Sequence, residues 1–182
     1  MTFEELAVMI AVRLDDAKLQ YMFTGALAVN FYGKPGTAHD LDIVILITAR
    51  DVRPLAQLFG QDFCVLEGSI RTALREVSVF TAIHKESGMK VNFWMRRNDD
   101  YSRDAFERRT EVTCGPTRIS LVSAEDTIVT RLELYEQTGI SQHFSDAQGI
   151  YRIQRETLCV EYITNWCEGT SLAELWERVQ GE

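Results

Sequence analysis

Hydrophobic spacing changes character along the chain. Phe3, Leu6, Ala7, Ile10 and Leu14 recur at helical intervals and predict an amphipathic N-terminal helix. Residues 20–23 (QYMF) then read as a short strand, broken by Thr24-Gly25. Residues 26–32 (ALAVNFY) read as a short helix ending near Gly33, and Lys34-Pro35-Gly36 as a loop. The run from Leu41 to Ile47 (LDIVILI) is β-branched and apolar, which predicts a strand buried on both faces. Helices are expected over 51–59 and 69–76. Residues 77–84 (VSVFTAIH) and 89–95 (MKVNFWM) flank Lys85-Glu86-Ser87-Gly88 and predict a hairpin, with Gly88 available for a positive φ. Two more strands are expected at 109–114 and 117–122, turning at Gly115-Pro116.

Beyond that point the period is helical throughout. Ser123-Ala124-Glu125-Asp126 has the form of a helix start, with acidic groups near the positive end. Ile128, Val129, Leu132 and Tyr135 form its apolar stripe. Phe144, Ala147 and Tyr151, then Cys159, Tyr162, Ile163 and Trp166, then Leu172, Leu175, Trp176 and Val179 repeat the pattern. The fold class is therefore α+β, a mixed sheet flanked by helices over 1–122 and a helical cap over 123–182. No Pro/Gly-rich linker separates them, so a single domain of 1–182 with the cap packed on the core is expected.

Composition narrows the function classes. The 182 residues are 46% hydrophobic and 25% charged, ordinary for a globular chain. At this length about 70% of the unfolded surface is buried on folding, enough without staples. The formal net charge of −8 repels a phosphate backbone and argues against duplex DNA as a partner. Cys64, Cys114, Cys159 and Cys167 form no C-x-x-C pair and read as reduced thiols. The N-terminus lacks the layout of a signal peptide, and no apolar run reaches the roughly 18 residues of a membrane span. A cytoplasmic protein that does not bind membranes is expected, with a homodimer left open.

Asp40 and Asp42 sit two apart at the mouth of the LDIVILI strand, so both carboxylates point to one face. Like charges held that close repel, and a divalent cation removes the penalty. Mg²⁺ is commonly held by one or two carboxylates with substrate phosphates completing its shell. Fifteen residues earlier, Gly25 opens a strand-to-helix turn, where a missing Cβ lets backbone N–H groups approach a phosphate. Alone, D-x-D is common, and a capped, solvated turn remains the alternative.

Thr24-Gly25-Ala26 with Ala28, Tyr32-Gly33-Lys34-Pro35 and Asp40-Leu41-Asp42-Ile43, in this order, resemble the DNA polymerase beta-like nucleotidyltransferase superfamily. The hairpin with KVNFW, the Ser123–Asp126 helix start and the QHFSDAQGI helix are similar to its small bacterial branch, related to abortive-infection toxin nucleotidyltransferases. The resemblance spans most of the chain. It implies metal-dependent transfer of a nucleoside monophosphate from a nucleoside triphosphate to an acceptor hydroxyl on a protein, an RNA end or a small molecule. Asp40 and Asp42 would bind Mg²⁺ or Mn²⁺. Thr24, Gly25 and Lys34 would hold the triphosphate.

The sequence departs from the superfamily pattern at three places. Where a third carboxylate is expected stands Asn92, an imperfect ligand that cannot accept a proton. Gly36 and Ala38 replace the usual Arg and Thr of the preceding loop, with Thr37 beside them. The alternative is thus a catalytically degenerate nucleotide-binding or protein-interaction module. Asn92 shares its strand face with Lys90 and Trp94, and Lys90 is a candidate to lean toward the Asp pair in place of a metal's charge. Trp94, Trp166 and Trp176 read as core, and Asp146 as an exposed helix acid. His39 reads as turned away from the site. Arg96, Arg97, Arg103, Arg108 and Arg109 read as a solvated face balancing nearby acids.

Overall fold

A computed structural model describes residues 1–181. Its elements run α1 (Phe3–Asp16), β1 (Gln20–Thr24), α2 (Gly25–Tyr32), β2 (Asp40–Leu46), α3 (Val52–Gly60), β3 (Phe63–Cys64), α4 (Glu67–Glu76), β4 (Val79–His84), β5 (Lys90–Met95), α5 (Asp100–Glu107), β6 (Thr110–Cys114), β7 (Thr117–Leu121), α6 (Ala124–Thr138), α7 (Ser141–Gln154), α8 (Val160–Cys167) and α9 (Leu172–Gln180). The chain forms two compact units. One holds Met1–Leu27 and Thr37–Leu121, the other Ala28–Gly36 and the residues from Val122 onward.

The first unit is a seven-stranded mixed sheet of order β3-β4-β5-β2-β1-β7-β6 with its own helices. Parallel pairs are β2 with β5 and β1 with β7, and the other neighbours are antiparallel. One face carries the core. Leu41, Ile43 and Ile45 of β2, Val91 and Phe93 of β5 and Phe80 and Ala82 of β4 are almost fully buried. Phe93 stacks on Phe80 with centroids 4.8 Å apart and meets Phe59 of α3 at 5.4 Å. Helix α1 buries Leu6, Ala7, Ile10, Ala11 and Leu14, the predicted stripe with Ala11 in place of Phe3. Its start is a capping box in which the Thr2 hydroxyl accepts from Glu5 N and the Glu5 carboxylate accepts from Thr2 N.

The other face of β2 is only partly covered, which corrects the reading of LDIVILI as buried on both sides. Asp40, Asp42 and Val44 are half-buried and Leu46 is exposed. The strand is amphipathic in environment although not in composition, because apolar Val44 and Leu46 follow the two carboxylates on the partly covered side. Two elements were not anticipated. Strand β3 is two residues long, below any period. Helix α5 buries only Ala105 and Phe106 and is started by Asp99, whose carboxylate accepts from Ser102 N at 2.7 Å.

The second unit is helical. At its centre Asp126 is wholly buried, and its carboxylate accepts from the Ser123 hydroxyl at 2.6 Å and the Tyr162 hydroxyl at 2.8 Å. The neighbouring Glu125 accepts from Cys159 N at 2.9 Å. The predicted helix start is therefore also the clamp that joins α6 to α8. Residues 28–36 belong here: Gln154 Nε2 donates to the Tyr32 carbonyl at 2.9 Å, and a Cβ at Gly33 would lie 3.1 Å from Ile150 Cγ1. No sequence signal marks that segment as part of the helical unit. Among the described residues, no helix is long and apolar enough to cross a membrane.

Candidate active site

Strand register builds the site. Thr24 of β1 lies opposite Asp42, Asp42 opposite Asn92 of β5, and Asn92 opposite Thr81 of β4. These four side chains make one polar row across the partly covered face. Asp40 stands one step along β2, opposite Lys90. On the other side of the polar row lies an apolar one of Val79, Trp94, Val44 and Met22.

Asp42 is held at both of its oxygens. Oδ1 accepts from Asn92 Nδ2 at 3.2 Å and from Trp94 Nε1 at 3.1 Å. Two donors fill the lone pairs of that oxygen. Oδ2 lies against the backbone of Gly25, where a Cβ would come within 2.4 Å of it. Gly25 also has φ +63°, so the glycine is required twice, by the turn and by the carboxylate beside it. Asn92 is itself fixed, because its Oδ1 accepts from the Thr81 hydroxyl at 2.8 Å. Only one orientation of the amide satisfies both neighbours, since the reverse would set its carbonyl against a carboxylate.

The donor set fits one divalent cation. Among the described residues, Asp40 makes no hydrogen bond or ion pair, and Asp42 Oδ2 accepts none. The Asp40 carboxylate and Asp42 Oδ2, on one strand face, suit an ion whose remaining ligands are phosphate and water. A second, all-protein position is not supplied: no group of three or more His, Cys, Asp or Glu side chains is placed to hold a metal among the described residues. The Asn92 carbonyl, the atom sequence analysis offers as a ligand, is engaged by Thr81 instead.

The other candidates fall elsewhere. Lys90 is exposed and makes no ion pair among the described residues, so it does not stand in for a cation. Thr24 closes β1 beside Asp42, as expected of the turn. Lys34 is exposed in the loop after α2, within the second unit. That loop is pinned by Asn30, whose amide accepts from Gly36 N at 2.8 Å and donates to Gly36 O at 3.1 Å. Asp146 is not an exposed acid: it is largely buried, 3.6 Å from Arg131, and accepts from Gln142 at 2.7 Å. Arg131 also meets His143 Nδ1 at 3.1 Å, and burial, then the Arg131 charge, lowers the His143 pKa against an opposing pull from Asp146. Arg97 pairs with Asp99 and Arg103 with Asp100, as a self-balancing face would. Trp176 is core and donates to Thr164 at 3.0 Å. Trp94 is not core: it is 45% exposed and bonded to Asp42. Its shared face with Asn92 was the signal in the sequence, overridden by the usual preference of Trp for the interior.

No family model matches the sequence, and no curated protein matches it either. Solved structures do match. The chain is similar to an antigenic nucleotidyltransferase-like protein from Paracoccidioides brasiliensis, with 15% identity, TM-score 0.59, and 96% of this chain and 91% of that one covered. It is similar to the lincosamide antibiotic adenylyltransferase LnuA, solved with lincomycin, at 15% identity and TM-score 0.55, covering 84% and 98%. It is also similar to ANT(2")-Ia, solved with adenylyl-2"-tobramycin, at 13% identity and TM-score 0.56, covering 100% and 98%. Identities this low speak for architecture alone, and on that architecture the chain has the nucleotidyltransferase-like fold.

Proposed function

We propose that the chain is a nucleotidyltransferase that moves a nucleoside monophosphate from a nucleoside triphosphate to an acceptor hydroxyl. The observation that carries this reading is the pairing, on one sheet face beside the Gly25 turn, of the Asp40 carboxylate with the free Oδ2 of Asp42, whose Oδ1 is already bonded. Mg²⁺ or Mn²⁺ held by this pair would neutralise charge on the phosphates and the leaving group. Thr24 and Gly25, at the start of α2, offer backbone N–H groups and the positive helix end to the triphosphate. The acceptor oxygen bonds to the α-phosphorus, the bond to the β-phosphate oxygen breaks, and pyrophosphate leaves. Asn92 takes no proton, so the acceptor proton passes to water at this face. Solved neighbours that act on a lincosamide and an aminoglycoside favour a small hydroxylated acceptor over a protein or an RNA end, and the net charge of −8 also disfavours RNA. The abortive-infection branch is the narrower reading of the motifs.

Incubation with each α-labelled nucleoside triphosphate, Mg²⁺ or Mn²⁺ and acceptor pools tests this. Label transfer is expected in the wild type and lost in Asp42→Ala and Asp40→Ala. Transfer that survives Asp42→Ala removes the proposed role of the pair.

A second reading has its own support. The Asn92 amide is turned toward Asp42 with both of its polar atoms engaged, as in a site that binds a nucleotide without turning it over. Saturable nucleotide binding with no transfer to any acceptor would favour this degenerate member.

A further inference from the structure

We propose that Trp94 and Asn92 are positioning residues that reserve one oxygen of Asp42, so that Asp42 meets a cation through Oδ2 alone. The proposal rests on the cation site of the preceding section.

The geometry is specific. Asn92 reaches Asp42 from the directly paired position on β5, and Trp94 reaches it diagonally from the next position on the same face. Both donors end on Oδ1, at 3.2 and 3.1 Å. Thr81 locks the amide from behind at 2.8 Å. Behind Oδ2, the missing Cβ of Gly25 leaves the space the carboxylate occupies. The carboxylate is therefore held in one rotamer before any cation arrives. Outer partners of this kind orient a ligand and are typically worth 10- to 100-fold in metal affinity. Their chemistry also differs from a third carboxylate, because two neutral donors stabilise the Asp42 charge without adding a ligand. The exposed indole needs no burial to stay in place, since its N–H is tied to Asp42.

Trp94→Phe keeps the ring and removes the donor. At a 45%-exposed position it is expected to leave the melting temperature within a few degrees of the wild type. Three indole N–H resonances are expected in a ¹⁵N spectrum, from Trp94, Trp166 and Trp176, and Trp94→Phe assigns the first by its loss. In Asp42→Ala the Trp94 resonance is expected to move while that of Trp176, bonded to Thr164, stays. Mn²⁺ affinity, read from the paramagnetic signal of free Mn²⁺ without nucleotide, is expected to fall about tenfold in Trp94→Phe. A Trp94 resonance indifferent to Asp42→Ala overturns the proposal. So does equal Mn²⁺ affinity in wild type and Trp94→Phe, which leaves the cation reading intact. A wild type that binds no Mn²⁺ overturns the cation reading and the proposal together.

Discussion

Asn92→Asp introduces the third carboxylate that the resemblance drawn from the sequence implies, and the structure sets what it does in the absence of metal. The donor Asn92 Nδ2 lies 3.2 Å from Asp42 Oδ1. The variant replaces that N–H with an oxygen of like charge. Two unit charges at this separation repel by about 5 kcal/mol at an effective dielectric of 20. Asp42 and Asn92 are both half-buried, so solvent screening reduces this to roughly 2 kcal/mol, and loss of the charged hydrogen bond acts in the same direction. For a chain of this size, about 2 kcal/mol corresponds to a fall of about 4–8 °C in melting temperature. A divalent cation between the two carboxylates reverses the sign, because it binds the folded state and stabilises it by mass action. Thermal melts in chelator and in Mn²⁺, run side by side, read both effects. In chelator the variant is expected below the wild type, and the upward shift with Mn²⁺ is expected to be larger in the variant. Transfer assays on the same samples then separate the two functional readings, since a gain in turnover marks an enzyme weakened at position 92. A variant as stable as the wild type in chelator, with no larger shift in Mn²⁺, would refute the assignment of Asn92 as a donor to Asp42.

Three further outcomes follow from particular contacts. Gly25→Ala combines a positive φ with a Cβ 2.4 Å from Asp42 Oδ2 and is expected to cost about 2–4 kcal/mol in urea denaturation, and to abolish any label transfer, whereas Gly88→Ala, also at positive φ but facing open space, is expected to cost about 1–2 kcal/mol. Thiol labelling of the folded protein at pH 8 is expected to be fast at exposed Cys64 and Cys159 and slower at Cys114; it is expected to be blocked until unfolding at Cys167, whose buried thiol is pushed up to about 11, so prompt labelling of Cys167 would contradict its packing. Because burial and Arg131 lower the His143 pKa, the unfolded chain takes that proton more readily; His143 thus contributes stability above about pH 6.5 that is lost as pH falls toward its folded value, and His143→Gln should flatten that part of the profile in urea melts.

What the sequence disclosed follows the reach of its periods. The i, i+2 spacing of Asp40 and Asp42 fixes their common face, and Gly25 marks the turn beside them, because both signals are local. The environment of that face was not local. Val44 and Leu46 follow the aspartates on the partly covered side, and nothing in LDIVILI separates them from Ile43 and Ile45 on the buried one. Trp94 joins the site through a diagonal contact across two strands 50 residues apart in the chain. Helix α5, with two buried residues, and β3, with two residues in all, are held by tertiary packing more than by their own composition. Segment 28–36 joins the helical unit through Gln154 and Ile150, partners more than a hundred residues away.

The parallel pairing of β2 with β5 carries a further consequence. Their register sets Asn92 against Asp42 and Phe93 against Ile43 in the same stroke. A slip of one residue would turn every β5 side chain to the opposite face. Val91 or Phe93 would then stand before the aspartates, and Asn92 and Trp94 would be driven into the aromatic stack with Phe59 and Phe80. The hydrophobic stack is thus the gauge that aligns the polar row. A substitution that loosens Phe93 should blur the site without touching it, and the geometry of the polar row and core packing in this unit stand or fall as one variable.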